Sequence, residues 1–166
     1  QVGSAMKISI ITATFNSAAT VADTLQSIAG QTYPEIEHII IDGLSKDNTL
    51  EIVKQFTHPA VITSERDKGI YDAMNKGIQK ATGEVIGILN SDDFYNGDTI
   101  ISKVMELFAD PLVDAVYGDL QYVKQEDSSK IVRTWKAGPF SKNSFYYGWM
   151  PPHPTFFLIK DLYNHL

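Results

Sequence analysis

The residues best suited to chemistry are two adjacent carboxylates, Asp92-Asp93, at the end of Leu89-Asn90-Ser91. Paired carboxylates offer hard oxygen ligands, which suit Mg²⁺ or Mn²⁺ better than zinc or copper. A cation held there can bridge a diphosphate. The sequence has no Gly-x-Gly-x-x-Gly fingerprint after its first apolar run and no Gly-x-x-x-x-Gly-Lys-Ser/Thr loop. A Gly-rich backbone cradle for phosphate is therefore missing, and a metal bridge is the alternative route. Two more clusters hold polar residues at the ends of apolar runs: Thr12-Ala13-Thr14-Phe15-Asn16 and Asp42-Gly43-Leu44-Ser45. Each has a plainer reading. Asp92-Asp93 could form a turn or start the helix after Gly97, and Asp42 could be a turn residue beside Gly43.

The elements that must position these residues alternate between β-branched runs and helical periods, the pattern of βαβ units with a largely parallel sheet. Strands are predicted at Ile8–Thr12, His38–Ile41, Ala60–Thr63 and Glu84–Leu89. Helices are predicted from Val21, Leu25 and Ile28, from Leu50, Val53 and Phe56, and from Ile101, Val104, Met105 and Phe108. The clearest helix carries Ile70, Ala73, Met74, Gly77, Ile78 and Ala81 as one apolar stripe, ended by Gly83. On its polar side, Asp72, Asn75, Lys76 and Gln79 read as solvated. After Asp114 come short strands at Ala115–Tyr117, Leu120–Val123 and Ile131–Trp135, with Asp127–Lys130 as a turn. The expected fold is α/β, a three-layer α/β/α sandwich around a mostly parallel sheet. In such sheets ligands bind at the carboxyl ends of the strands, near the switch in strand order. Parallel strands would bring all three polar clusters to that one edge.

Composition narrows the classes. With 166 residues the chain is one domain's worth, and 43% apolar residues are enough for a core. The net charge of −6 argues against a nucleic-acid groove, which needs clustered Lys and Arg. The lack of cysteine excludes a disulfide framework, a thiolate zinc site and a cysteine nucleophile. No run approaches the ~20 apolar residues of a membrane span. Gln1 to Ala5 read as a vector-derived remnant ahead of a natural start at Met6-Lys7, leaving residues 6–166 as a single domain.

Read in order, five segments resemble the family 2 glycosyltransferases, which have the A-type glycosyltransferase fold. They are Ile8–Asn16, Gln31-Thr32-Tyr33-Pro34, Asp42-Gly43-x-Ser45-x-Asp47-x-Thr49, Gly69–Gly77 with Ala81–Glu84, and Leu89–Asp93. The Gly-Ile-Tyr-Asp-Ala-Met-Asn-Lys-Gly segment resembles the branch that builds bacterial exopolysaccharide and lipopolysaccharide. The resemblance implies a nucleotide-binding half over about residues 6–112 and the start of an acceptor half over about 113–166. It implies a nucleotide-sugar donor, usually a UDP-sugar, a saccharide or lipid-linked acceptor, Mg²⁺ or Mn²⁺ as cofactor, and inverting transfer. The implied location is cytoplasmic, with peripheral contact to the inner membrane as an option.

Position by position, Ala13, Thr14 and Phe15 would line the base and Asp42 would hydrogen-bond it. Asp67 would face the base or ribose, Asp92 the ribose or sugar, and Asp93 the metal. Asn90 stands where the family often has another Asp, and Gly43 where many members have a second one. Trp149 and His153 would face the acceptor, within an aromatic stretch that also holds Phe140, Phe145, Tyr146 and Tyr147. The plainer readings there are a loop histidine between Pro152 and Pro154, and aromatics covering the core. The family's acidic base is expected downstream of Leu166, with Asp161 an ordinary helix-start residue. Two rivals stay open: a non-catalytic nucleotide-sugar-binding module and a sugar-phosphate nucleotidyltransferase. The second normally opens with a Gly-rich basic loop, which Thr14-Phe15-Asn16-Ser17 is not.

Overall fold

Every residue of β1 (Ile8–Thr14) is buried, because a strand pairs on both edges and a helix layer covers each face. The computed structural model describes residues 5–124, 127–136 and 155–163. After β1 come α1 (Val21–Ala29), β2 (Ile36–Asp42), α2 (Thr49–Lys54), β3 (Pro59–Ser64), α3 (Ile70–Lys80), β4 (Val85–Ile88) and α4 (Ile100–Phe108). Then follow β5 (Ala115–Tyr117), β6 (Leu120–Lys124), β7 (Asp127–Trp135), β8 (Phe156–Ile159) and α5 (Lys160–Tyr163). The main sheet runs β3-β2-β1-β4-β8-β5, and β6 pairs with β7 as a separate hairpin. Strands β1 to β4 are mutually parallel, while β8 is antiparallel to both β4 and β5.

The three layers are present. On one face, Ile8, Ile10, Val85 and Phe157 pack against Ile28 of α1 and the Ile101, Val104, Met105 and Phe108 stripe of α4. Val53 of α2 joins Val21, Leu25 and Ile40 beside them. On the other face, Ile11, Ala13, Ile39, Ile41 and Ile86 receive Ala73 and Ala81 from α3 and its end. The chain steps outward from β1 through β2 to β3, then returns to place β4 on the opposite side of β1. The switch in strand order therefore lies between the carboxyl ends of β1 and β4.

Three local expectations are corrected. Ile70, predicted to start the buried stripe of α3, is half exposed, since the stripe meets the sheet only from Ala73 onward. Gly83 does not end that helix, whose C-cap is already extended at Ala81. Gly83 is needed instead because a Cβ there would sit 2.6 Å from Ser9 Oγ and 2.7 Å from the Ser9 amide nitrogen. Asp127–Lys130 lie within β7, where Asp127 Oδ1 accepts the Ser129 amide across an irregular register.

At the amino ends of the strands, a buried carboxylate fixes the frame. Glu37 Oε2 accepts Ser9 Oγ at 2.6 Å and the Thr82 amide at 2.9 Å, while Oε1 accepts Thr82 Oγ1 at 2.9 Å. Burial opposes this charge, but those hydrogen bonds and Lys7 outweigh it and hold the carboxyl below its ordinary range.

Candidate functional site

At the carboxyl edge, Asp42 ends β2 and is fully buried. Its Oδ1 accepts Thr14 Oγ1 at 2.9 Å and Ser45 Oγ at 2.5 Å. Its Oδ2 accepts the Ser45 amide at 3.0 Å and Ser64 Oγ at 2.7 Å. Burial pushes its pKa up, but the donors from Ser45, Ser64 and Thr14 prevail and the carboxyl stays ionised below its usual range. With four internal donors, both oxygens are occupied. Asp42 thus ties the ends of β1, β2 and β3 together.

The remaining polar residues of the same segment hold the loop after β1. Ser45 Oγ accepts the Asn16 amide, Asp47 Oδ2 accepts the Ala18 amide, and Thr49 Oγ1 accepts the Ser17 amide at 2.7 Å. Asn16 Oδ1 in turn accepts the Lys46 amide. Asp47, not Asn48, supplies the cap of α2 by accepting the Thr49 amide at 3.0 Å. Two non-glycine residues in these loops, Asn16 (φ 48°) and Leu44 (φ 63°), are left-handed. Such strain persists only where surrounding bonds enforce it.

The acidic loop after β4 is tied down as firmly. Ser91 Oγ lies 2.7 Å from Ser17 Oγ, and Thr24 Oγ1 on α1 donates to the Asp93 carbonyl at 2.6 Å. The Asp93 amide closes a turn onto the Asn90 carbonyl. Asp93 is not a helix cap, because α4 begins only at Ile100 after Thr99. Its far side is fastened by Gln31, which donates to the Gly97 carbonyl and accepts the Ile101 amide, an otherwise orphaned helix-start donor. The Gln31-Thr32 pair therefore acts as a brace for α4.

Asp92 is exposed and Asp93 half-buried. Burial, then the neighbouring Asp92 charge, raises the Asp93 pKa to about 6. The Asn90 amide oxygen is buried without a hydrogen-bond partner among the described residues. Asn90, Asp92 and Asp93 thus offer oxygen donors from one short loop, of a chemistry that fits a hard divalent cation. Among the described residues no three His, Cys, Asp or Glu side chains group to hold a metal alone. A diphosphate would have to complete the coordination, as is usual for Mg²⁺.

Residues 9–162 match the family described as glycosyl transferase family 2. The chain belongs to that family. A PGL/p-HBAD biosynthesis glycosyltransferase of Mycobacterium tuberculosis (strain ATCC 25177 / H37Ra) is 38% identical over 117 residues, covering 68% of this chain and 46% of the relative. The poly-beta-1,6-N-acetyl-D-glucosamine synthase of Staphylococcus epidermidis is 35% identical over 115 residues, 68% of this chain and 28% of the relative. The chain thus spans under half the length of these relatives. TarS 1–349 of S. aureus, solved with UDP-GlcNAc, superposes with a TM-score of 0.62 at 27% identity, over 66% of this chain and 33% of that one. The mannosyltransferase PcManGT of Pyrobaculum calidifontis, solved with GDP-Man and Mn²⁺, reaches a TM-score of 0.73 over 98% of this chain and 47% of that one. At 19% identity this last likeness shows the shared A-type glycosyltransferase fold.

Within this family 2 domain the predicted residues divide. Ala13 and Thr14 are buried at the carboxyl end of β1, with 7% and 3% of their surface exposed. Phe15 alone of the three presents its ring, 62% exposed. Phe15, Asp67, Asp92 and Asp93 all lie on loops at the carboxyl edge, as the parallel reading required. Trp149 and His153 lie outside the described residues, as do Phe140, Phe145, Tyr146 and Tyr147. Asp161 sits in the first turn of α5, as expected. Sequence reasoning missed the bracing roles of Ser45, Asp47, Thr49 and Gln31; their spacing was the visible signal.

Proposed function

We propose that this domain binds a UDP-sugar through a divalent cation and serves transfer of the sugar to a saccharide or lipid-linked acceptor. The observation that carries the reading is the Asp92-Asp93 pair, braced beside the strand-order switch with the exposed Phe15 ring on the adjacent loop. Asp93, with the Asn90 oxygen nearby, would hold Mg²⁺ or Mn²⁺, and the cation would stabilise charge on the departing diphosphate. Phe15 offers a stacking face for the base, and Asp92 an acceptor for ribose or sugar hydroxyls. The rigid loops supply orientation, which is the positioning part of catalysis. In the inverting course we favour, an acceptor oxygen bonds the anomeric carbon as the bond to the diphosphate breaks. A carboxylate base takes the hydroxyl proton.

The named relatives support a cell-envelope or exopolysaccharide role. Among the described residues no helix is long and apolar enough to cross a membrane, and we place the domain in the cytoplasm, in peripheral contact with the inner membrane.

Calorimetric titration with UDP tests the proposal. Binding is expected with Mn²⁺ or Mg²⁺, to weaken strongly under chelator, and to be lost in Asp93→Asn with the melting temperature preserved. Equal affinity with and without chelator would overturn the metal bridge.

A further inference from the structure

The β6–β7 hairpin pairs with no strand of the main sheet, and β7 has neither face covered between Ser129 and Thr134. All six residues of that run are exposed. Consecutive residues of a strand face opposite sides, so both faces of the ribbon are open there. Two β-branched apolar residues lie within the run, Ile131 with 54% and Val132 with 64% of its surface exposed. The register shift between Tyr122 and Val123 leaves Val132 as an extra residue of β7, opposite no partner on β6. A two-stranded ribbon without a packed face is marginal in water, and a second surface against it would stabilise it.

The charge of the hairpin is opposite to that of the rest of the chain. Residues 120–136 hold Lys124, Lys130, Arg133 and Lys136 against Glu126 and Asp127, a net +2 within a chain of net −6. Lys130 and Lys136 are exposed, and Asp127 pairs with Lys130 at 3.3 Å. Apolar side chains exposed among cations suit a surface that is both anionic and amphipathic. The acidic remainder of the chain is repelled by such a surface, which favours contact through the ribbon.

The ribbon also leaves the fold at the edge that carries Asp93. Strand β8 is antiparallel to both β4 and β5, so β5 ends at the same edge as β4. Just past that end, the Gly118 amide donates to the Thr155 carbonyl at 3.1 Å, and Thr155 Oγ1 donates to the Gly118 carbonyl at 2.7 Å. This clamp fixes the base of the ribbon two strand spacings, about 10 Å, from β4.

We propose that the β6–β7 hairpin docks the domain on a bilayer containing anionic lipid, with Ile131 and Val132 entering the headgroup region and Lys130 and Lys136 meeting lipid phosphates. The proposal rests on the acceptor reading above and commits it to the lipid-linked class. A bilayer held at this edge presents such an acceptor to the donor without diffusion through water, which is a positioning gain.

The test is co-sedimentation of the whole chain with vesicles, with a melting curve and a UDP titration in Mn²⁺ for every variant. Binding is expected to vesicles of equal parts phosphatidylglycerol and phosphatidylcholine, and to weaken strongly in about 1 M salt or on phosphatidylcholine alone. Each Lys or Arg at an anionic surface strengthens binding about fivefold, so Lys130→Gln with Lys136→Gln should weaken it about twentyfold. Ile131→Ser with Val132→Ser should weaken it about tenfold or more, through lost apolar burial. Both double variants should keep the wild-type melting temperature and UDP affinity. Failure of the wild-type chain to bind the anionic vesicles, or equal binding by both double variants, would overturn the proposal. So would a lipid-free dimer dispersed by the Ile131→Ser, Val132→Ser change, which would assign the ribbon to a second copy of the chain. Absence of UDP binding by the wild-type chain would remove the donor reading instead, and would leave the vesicle result standing.

Discussion

Ser17 and Ser91, 74 residues apart in sequence, meet hydroxyl to hydroxyl at 2.7 Å and join the loop after β1 to the acidic loop after β4. The bond spans the strand-order switch, so it links the loop bearing Phe15 to the one bearing Asp93. Ser91→Ala removes it and leaves Ser17 its contact with the Phe15 carbonyl. A stability loss of about 1 kcal/mol is expected. Nucleotide affinity in Mn²⁺ should fall further than that loss implies, because the two halves of the site lose their registration. Paired melting and calorimetric measurements check both effects; unaltered affinity would show that the loops hold position independently.

His38 predicts an acid instability. It is fully buried in β2, with Nε2 2.8 Å from Thr12 Oγ1 and Nδ1 3.0 Å from His58 Nε2. Burial, then the His58 charge, lowers its pKa to about 3, and burial also lowers that of His58. Between pH 6.5 and about 3 the unfolded chain binds protons that folded His38 refuses. Stability contributed by neutral His38 is therefore full above pH 6.5 and is lost as pH falls, by up to about 1.4 kcal/mol per pH unit. Urea titrations at pH 7 and pH 5 should show a lower midpoint at pH 5, and His38→Gln should flatten the difference.

Leu44 is held left-handed in the site loop, which costs a branched L-residue about 1 kcal/mol. Its side chain is half exposed and contributes little packing. Leu44→Gly is expected to leave stability unchanged or raise it by about 0.5–1 kcal/mol. A thermal melt showing a clear loss would mean that the side chain packs more than its exposure indicates.

Glu37 is the strongest structural acceptor at the other end of the sheet. Glu37→Ala would take the buried acceptor from Ser9 Oγ, which keeps the Gly83 amide, and the acceptor from the exposed Thr82, whose Oγ1 keeps Lys7. Unmade buried hydrogen bonds cost about 1–3 kcal/mol, so chemical denaturation should show a loss of at least that size. Glu37→Gln, which keeps an acceptor oxygen, should lose less. Nucleotide binding should persist in both, since the network lies at the opposite edge from Asp93.

Sequence alone determined the layers and the edge that carries the site. The β-branched runs of β1, β2 and β4 and the stripe of α4 leave no other arrangement that buries them, and parallel strands must place Phe15, Asp42, Asp67 and Asp93 at one end. What each of those residues does there was decided by tertiary contacts. Asp42 and Asp67 are the same residue type at neighbouring strand ends. One is saturated by Thr14, Ser45 and Ser64, and the other keeps an oxygen unengaged over Gly43. Composition and periodicity carry burial, because hydrophobic transfer depends on residue type and spacing. Hydrogen-bond partners depend on ångström distances between segments far apart in the chain, and only the folded structure sets those.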